Sequence, residues 1–300
     1  MRAVAAERLE LSAPDERKLE AIVEGPPNGD LVVLHHGTPG SAHEIWPPYI
    51  ESAEARGLRL AAYSRPGGGG SERHDGRTVA DCAADVEVVA DALGADRFFT
   101  VGGSGGGPHT LACAALLPQR VIAAATIASV APFDAEGLDW SKGMGEENIQ
   151  EFDAVQAGEE ELEAFLNGWL PKLRDITGDQ VLESLGDLVS APDAAVLTGE
   201  YADFAAASLR DALRPGIWGW FDDDVALLGD WGLDLAEIEA PVTLWHGRED
   251  RFVPLAHGAW LAEHVAGANA HLLDGHGHLS LALAHFDEIL DELVAVRARD

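Results

Sequence analysis

Residues Arg97–Gly107 read RFFTVGGSGGG. Arg97 to Val101 is aromatic and β-branched, with Asp96 before it and glycines after it, the pattern of a buried strand. Gly102-Gly103-Ser104-Gly105-Gly106 fits G-x-S-x-G, and Pro108 to Leu117, rich in Ala and Leu, reads as a helix. Strand, tight glycine turn bearing a serine, then helix is the context in which a nucleophilic hydroxyl is held clear of a sheet, near a helix N-terminus that favours developing negative charge. Such a turn is crowded, so the positions flanking the serine must lack large side chains.

In a chain with 33 glycines the motif alone is weak, and a dinucleotide-binding loop is its nearest rival. That loop needs Gly-x-Gly-x-x-Gly and an acidic residue about 20 positions further on. Here Pro108 stands where the last glycine belongs, and no Asp or Glu lies between Gly105 and Phe133, so the rival reading is rejected.

Upstream, Leu31-Val-Val-Leu34 is a continuous apolar run, as in a strand buried on both faces. His35-His36-Gly37-Thr38-Pro39-Gly40 follows it directly. By itself this is a glycine–proline turn. Paired with the serine turn it reads as an oxyanion loop, with the backbone N–H of Thr38 as one donor and that of Gly105 as the other. Residues 3–24 read as two opening strands, an antiparallel edge. Ile45–Gly57 reads as a helix, Leu58–Tyr63 as a strand, and Ser64–Ser71 as a glycine-rich loop lacking the Gly-Lys-Ser/Thr end of a phosphate loop. Thr78–Asp81 resembles a capping box that starts a helix to Leu93, and Val121–Val130 is another buried strand. The alternation of strand and helix predicts an α/β fold, a mostly parallel, doubly wound sheet.

The pattern breaks at Pro132. Helices are expected over 147–157, 160–169, 179–189 and 193–213, with no strand alternation. From Asp134 to Ala240 there are 26 acidic and 5 basic residues, and five of the eight tryptophans: Trp140, Trp169, Trp218, Trp220 and Trp231. This predicts a helical cap, residues 132–240, inserted before the last two core strands, the core being 1–131 and 241–300. The charge is expected on a solvated face, the sharper alternative being carboxylates that line the site and select a cationic substrate. Trp218 and Trp220 are candidate substrate-binding residues.

Overall the chain carries 52 acidic against 20 basic residues, a net charge of −32, which argues against nucleic acid or an anionic membrane surface as partner. A small-molecule substrate is expected instead. Cys82 and Cys113 have neither metal-ligand nor disulfide-framework spacing, Glu7 and Arg8 interrupt any signal peptide, and no apolar run spans a bilayer, so a cytoplasmic location is expected. The histidines follow no zinc spacing, and no metal or cofactor is expected.

A nucleophilic serine needs a base, and the base an orienting acid. After the expected strand Pro241–His246 comes Gly-Arg-Glu-Asp-Arg-Phe-Val-Pro at 247–254, and after Ala270–Leu273 comes Gly-His-Leu-Ser at 277–280. Asp250 and His278 thus each lie past a strand end, and the order Ser, Asp, His is that of α/β-hydrolases. With His-Gly-Thr-Pro-Gly at 36–40 and Gly-Gly-Ser-Gly-Gly at 102–106, the chain resembles an α/β-hydrolase of the capped branch that includes proline iminopeptidases and small-molecule esterases. The resemblance covers residues 25–130 and 240–300; the cap matches no subfamily. It implies Ser104 as nucleophile, His278 as base and Asp250 as acid, in preference to His276, Glu249 and Asp134. Serine, rather than the aspartate of dehalogenases and epoxide hydrolases, implies acyl transfer. An esterase is the leading expectation and an aminopeptidase the next, weakened because Gly105 replaces the bulky aromatic often found after the serine. A lyase, C–C hydrolase or perhydrolase on the same triad, and a non-catalytic receptor, are the further alternatives.

Overall fold

The computed structural model describes residues 6–297, so residues 3–5 of the expected opening strand lie outside it. An eight-stranded sheet runs through the molecule: β1 (Glu7–Ser12), β2 (Lys18–Glu24), β3 (Asp30–His35), β4 (Leu58–Tyr63), β5 (Phe98–Gly103), β6 (Val121–Ile127), β7 (Val242–Gly247) and β8 (Asn269–Leu273), in the spatial order β1-β2-β4-β3-β5-β6-β7-β8. β1 pairs with β2 and β2 with β4 antiparallel, and every other pairing is parallel. The antiparallel edge and the parallel body both match the expectation.

Parallel strands need helical crossovers, and these cover both faces. α2 (Cys82–Ala92), α3 (Gly106–Leu116) and α10 (Leu255–His264) share one apolar cluster with the sheet, whereas α1 (Pro47–Ala55) and α11 (His278–Arg297) share the cluster on the other face. α1 shows how the sequence sets its ends. Two prolines open its first turn, and Gly57, at φ 67°, follows its C-terminus. α2 begins at Cys82 rather than at Thr78. Asp81 does accept from Thr78 N–H, but the Ala80 N–H goes to the Trp231 carbonyl, which holds this stretch as a turn.

Six helices lie between β6 and β7: α4 (Glu146–Ala157), α5 (Glu159–Leu173), α6 (Gly178–Ser184), α7 (Ala191–Val196), α8 (Gly199–Ala212) and α9 (Trp218–Leu228). They enclose an apolar cluster of their own around Leu162, Leu166, Ala206 and Trp220. The single helix expected over 193–213 is broken at Leu197–Thr198, where Gly199 takes φ 52° and α8 starts afresh. α9 escaped the sequence reading because its acidic run, Asp222-Asp223-Asp224, looks solvated but is buried.

Chain order puts the functional edge in one place. From β3 the chain moves to β4 on one side, then crosses to β5 on the other, so the β3/β5 boundary is the topological switch point where doubly wound sheets bind ligands. The loops leaving β3 and β5 carry Thr38 and Ser104. They approach so closely that a Cβ on Gly106 would collide with the carbonyl oxygens of His35 and His36. Gly106→Ala should therefore cost about 1–3 kcal/mol through overpacking against backbone. Gly103→Ala, whose Cβ would meet nothing nearer than the Ile127 carbonyl at 3.7 Å, should stay within about 1 kcal/mol. Urea midpoints of the two variants measure the contrast; equal losses would show that close approach is not what reserves position 106 for glycine.

Candidate active site

Ser104 sits between β5 and α3 with φ 53°, a left-handed conformation that costs a non-glycine residue energy and is here held from both sides. Its N–H donates to the Ile127 carbonyl at 2.9 Å, and its carbonyl accepts from Gly107 N–H at 3.0 Å. The turn thereby points one side chain away from the sheet. Among the described residues the Ser104 hydroxyl has no hydrogen-bond partner, and it opens onto two adjoining cavities.

His278 is the first residue of α11. Its Nδ1–H donates to Asp250 Oδ2 at 2.8 Å, and its ring stacks on Phe252 with centroids 4.5 Å apart. The other oxygen, Asp250 Oδ1, accepts from the N–H groups of Phe252 and Val253, each at 2.9 Å. The loop after β7 thus fixes the carboxylate, and the carboxylate fixes the imidazole tautomer, leaving Nε2 as the proton acceptor. Burial disfavours the imidazolium, but Asp250, and more weakly Asp193, outweigh it, so the His278 pKa is raised above its ordinary 6.5. Of the three carboxylates weighed for this contact only Asp250 makes it; Glu249 and Asp134 are exposed. His276 instead meets His285, at 3.2 Å.

The loop after β3 brings Thr38 against Gly105: a Cβ on Gly105 would lie 3.2 Å from the Thr38 Cβ. Neither Thr38 N–H nor Gly105 N–H donates to a protein acceptor among the described residues. Two free amides beside a hydroxyl are what an oxyanion requires. Arg65 braces this loop. Its guanidinium donates to the carbonyls of His36 (2.6 Å) and Gly37 (2.8 Å) and pairs with Asp223 of α9. Arg65 N–H donates to His36 Nε2 (3.0 Å) and His36 Nδ1–H to Gly37 O (2.7 Å), so His36 is neutral, with its pKa held down by burial and by Arg65. His35 lies beneath, its pKa lowered to about 3 by burial and then by Arg65. His36 thus braces the loop, whereas His35 bonds Thr100 of β5 (3.0 Å) and Tyr63 of β4 (3.3 Å), and among the described residues no cluster of side chains could hold a metal ion.

A family model described as the alpha/beta hydrolase fold matches residues 30–284. The chain belongs to that family. A pimeloyl-[acyl-carrier protein] methyl ester esterase of Nitrosomonas europaea is 27% identical over 280 residues, 87% of this hydrolase and 91% of that protein. A non-heme chloroperoxidase of Streptomyces lividans is 30% identical over 270 residues, 85% of this hydrolase and 88% of that protein. The solved esterase RhEst1 from Rhodococcus sp. ECU1013 superposes with a TM-score of 0.67 at 19% identity, covering 96% of this chain and 98% of that one, a likeness of fold. No helix among the described residues of this hydrolase is long and apolar enough to cross a membrane.

The two candidate tryptophans part company. Trp220 lines the smaller cavity and donates Nε1–H to Glu151 at 2.5 Å. Trp218 lines neither cavity; it is 36% exposed and lies under the Arg73 guanidinium, 4.0 Å from the ring centroid. Beside Trp220, the half-buried Glu151 and the buried Asp224 form a carboxyl pair. Burial raises both pKa values, and for Asp224 the neighbouring Glu151 adds to the effect, so the pair retains a proton.

Sequence reasoning missed Asp193. This buried residue of α7 accepts from the N–H groups of His278, Leu279 and Ser280 and from the hydroxyls of Ser190 and Ser280, at 2.8–2.9 Å. It caps α11 at the turn that starts with His278. Burial opposes its ionisation, but these donors and His278 overcome it, and its pKa is lowered. Its stabilising contribution is therefore present above the ordinary 3.8 and is lost as pH falls through the lower folded value. Asp193→Ala should cost about 2–4 kcal/mol. Asp193→Asn should lower the His278 pKa, read from the imidazole resonance in an NMR titration; an unmoved pKa would show that the carboxylate exerts no field at the ring.

Proposed function

We propose that this chain is a serine hydrolase that cleaves esters or amides of small, partly apolar molecules through an acyl-enzyme. The observation that carries the reading is the buried Asp250–His278 pair facing the cavity onto which Ser104 opens. His278 Nε2 takes the Ser104 proton as Oγ attacks the carbonyl carbon, and the N–H groups of Thr38 and Gly105 receive the oxyanion. The leaving group departs with the proton from His278, and water, activated by the same imidazole, releases the acid. Residues 132–240 act as the cap that walls the cavities from solvent; Tyr201, Phe204, Trp169 and Trp220 of this segment line them. The esterase named among the relatives supports the same chemistry for this chain.

A second reading, an aminopeptidase-like enzyme, is favoured by one observation, the Glu151–Asp224 pair in the cavity next to Ser104. Turnover of proline p-nitroanilide beside p-nitrophenyl acetate separates the two, and ester turnover alone is expected.

Fluorophosphonate should add one label to the protein by intact mass and none to Ser104→Ala. A folded wild-type protein that takes no label would sink the activated-serine reading. Because the His278 pKa is raised, the acid limb of kcat/KM should lie above pH 6.5, activity falling as pH falls through it. Glu44, whose pKa burial raises to about 7, lines the larger cavity and titrates in the same range. Glu44→Gln should leave the limb in position and Asp193→Asn should move it to lower pH; the reverse result would assign the limb to Glu44.

A further inference from the structure

Ser104 lies at the meeting point of two cavities of unequal size and different chemistry. The larger, about 330 Å³, runs past His278 and Leu279 and is walled by aromatic rings. Trp46 meets Tyr201 and Phe204 with centroids 5.3 and 4.8 Å apart, and Tyr49 stacks on Phe286 at 3.8 Å. The smaller, about 130 Å³, opens on the Gly105 side and is closed by Phe165, Trp169 and Trp220, with Glu151 and Asp224 in its wall. Thr38, Ser104 and Phe252 border both; His278 borders only the larger and Gly105 only the smaller.

That asymmetry orients a substrate. A carbonyl carbon attacked by Ser104, with its oxygen on the Thr38 and Gly105 amides, has two remaining substituents. Attack forms the bond from Ser104 Oγ to that carbon and opens the carbonyl to the oxyanion, and re-forming the carbonyl then breaks the bond from the carbon to the leaving oxygen. The proton taken from Ser104 must pass from His278 Nε2 to that same leaving oxygen. The leaving group is therefore on the His278 side and the acyl group on the Gly105 side. From this we propose that the hydrolase is selective for esters of a short acyl group with a bulky, aromatic or apolar alcohol, the alcohol occupying the larger cavity and the acyl group the smaller. The carboxyl pair adds a second filter. Glu147, Glu151 and Asp224 border the smaller cavity and no Lys or Arg does, so an acyl group ending in a carboxylate is excluded.

The inference rests on the serine-hydrolase reading, and the test keeps the two apart. 2-Phenylethyl acetate and methyl 3-phenylpropanoate are isomers with the ester reversed, so size and overall polarity are matched and only the side of the bulky group differs. The acetate should show at least tenfold higher kcat/KM. Trp169→Ala, which lengthens the smaller cavity, should raise kcat/KM for the methyl ester several-fold, more than it changes the acetate. Phe204→Ala should lower kcat/KM for the acetate more than for the methyl ester. Each variant is first checked for fold by circular dichroism and for single fluorophosphonate labelling. A labelled wild-type enzyme that prefers the methyl ester, or a Trp169→Ala variant that alters only the acetate, overturns the orientation while leaving the serine in its role. Absence of label on folded protein overturns both.

Discussion

The buried pairing of Arg65 with Asp223 is the joint on which the site depends. Both side chains are 2% exposed, and every group Arg65 reaches is an acceptor: two carbonyls of the loop after β3, the Thr38 hydroxyl and the carboxylate. Taking two charges out of water costs several kcal/mol for each, recovered only when the remaining donors and lone pairs are satisfied. Here they are, because Arg77 also donates to Asp223 and Thr38 supplies a further hydroxyl. Removing Asp223 would leave Arg65 and Arg77 both charged without their shared carboxylate under the loop that offers the Thr38 amide, and removing Arg65 would leave Asp223 to Arg77 alone. The pair thus fixes the geometry of the loop more than it adds net stability.

The acidity of the chain reads differently once the joint is seen. Asp222, Asp223 and Asp224 are consecutive and all buried, yet each has a separate fate. Asp222 is bidentate to Arg73, Asp223 is shared by Arg65 and Arg77, and Asp224 has no arginine and retains a proton with Glu151. Three adjacent carboxylates on one helix turn face three directions, so a run of like charge becomes two ion-paired carboxylates and one that shares a proton with Glu151. Much of the rest of the acidic surplus is solvated, as along the exposed Glu159-Glu160-Glu161 that opens α5 and suits its N-terminal dipole.

How much was legible follows from whether the reason for a residue lies in its neighbours along the chain. The serine turn was legible because part of its constraint is local: a Cβ on Gly102 would collide with the Gly106 carbonyl and the Thr110 hydroxyl, a few residues along the chain. Asp250 and His278 were legible as positions after strand ends, and their order carried a family resemblance. Asp193 was not, because the amides it caps are 85 to 87 residues away, and at its own position it reads as an ordinary acidic residue in a short helix. Arg65 was passed over as part of a glycine-rich turn, since nothing in Ser64–Ser71 signals a guanidinium aimed inward. Trp218 shows the opposite failure: an aromatic in the right segment, chosen for type, whose ring turns out to pair with Arg73 at the surface.

Among the carboxylates of the helical segment that reach the core, Asp223 lies under the amide-bearing loop and Asp193 on the turn that carries His278. A rigid swing of the whole segment would strip both of their partners at once, and each stranded buried charge would cost several kcal/mol. α7 and α9 are anchored in this way, and α8 is anchored through Asp211, which accepts from the Ser41 hydroxyl at 2.8 Å. α5 and α6 make no such ionic attachment to the sheet among the described residues; they pack on α4, α8 and α9 through the segment's own apolar cluster. Displacing them sacrifices apolar contact without exposing a paired charge, and it leaves the two free amides and the imidazole where they are. Segment and core are one unit at α7, α8 and α9, and the segment is separable from the core only above them.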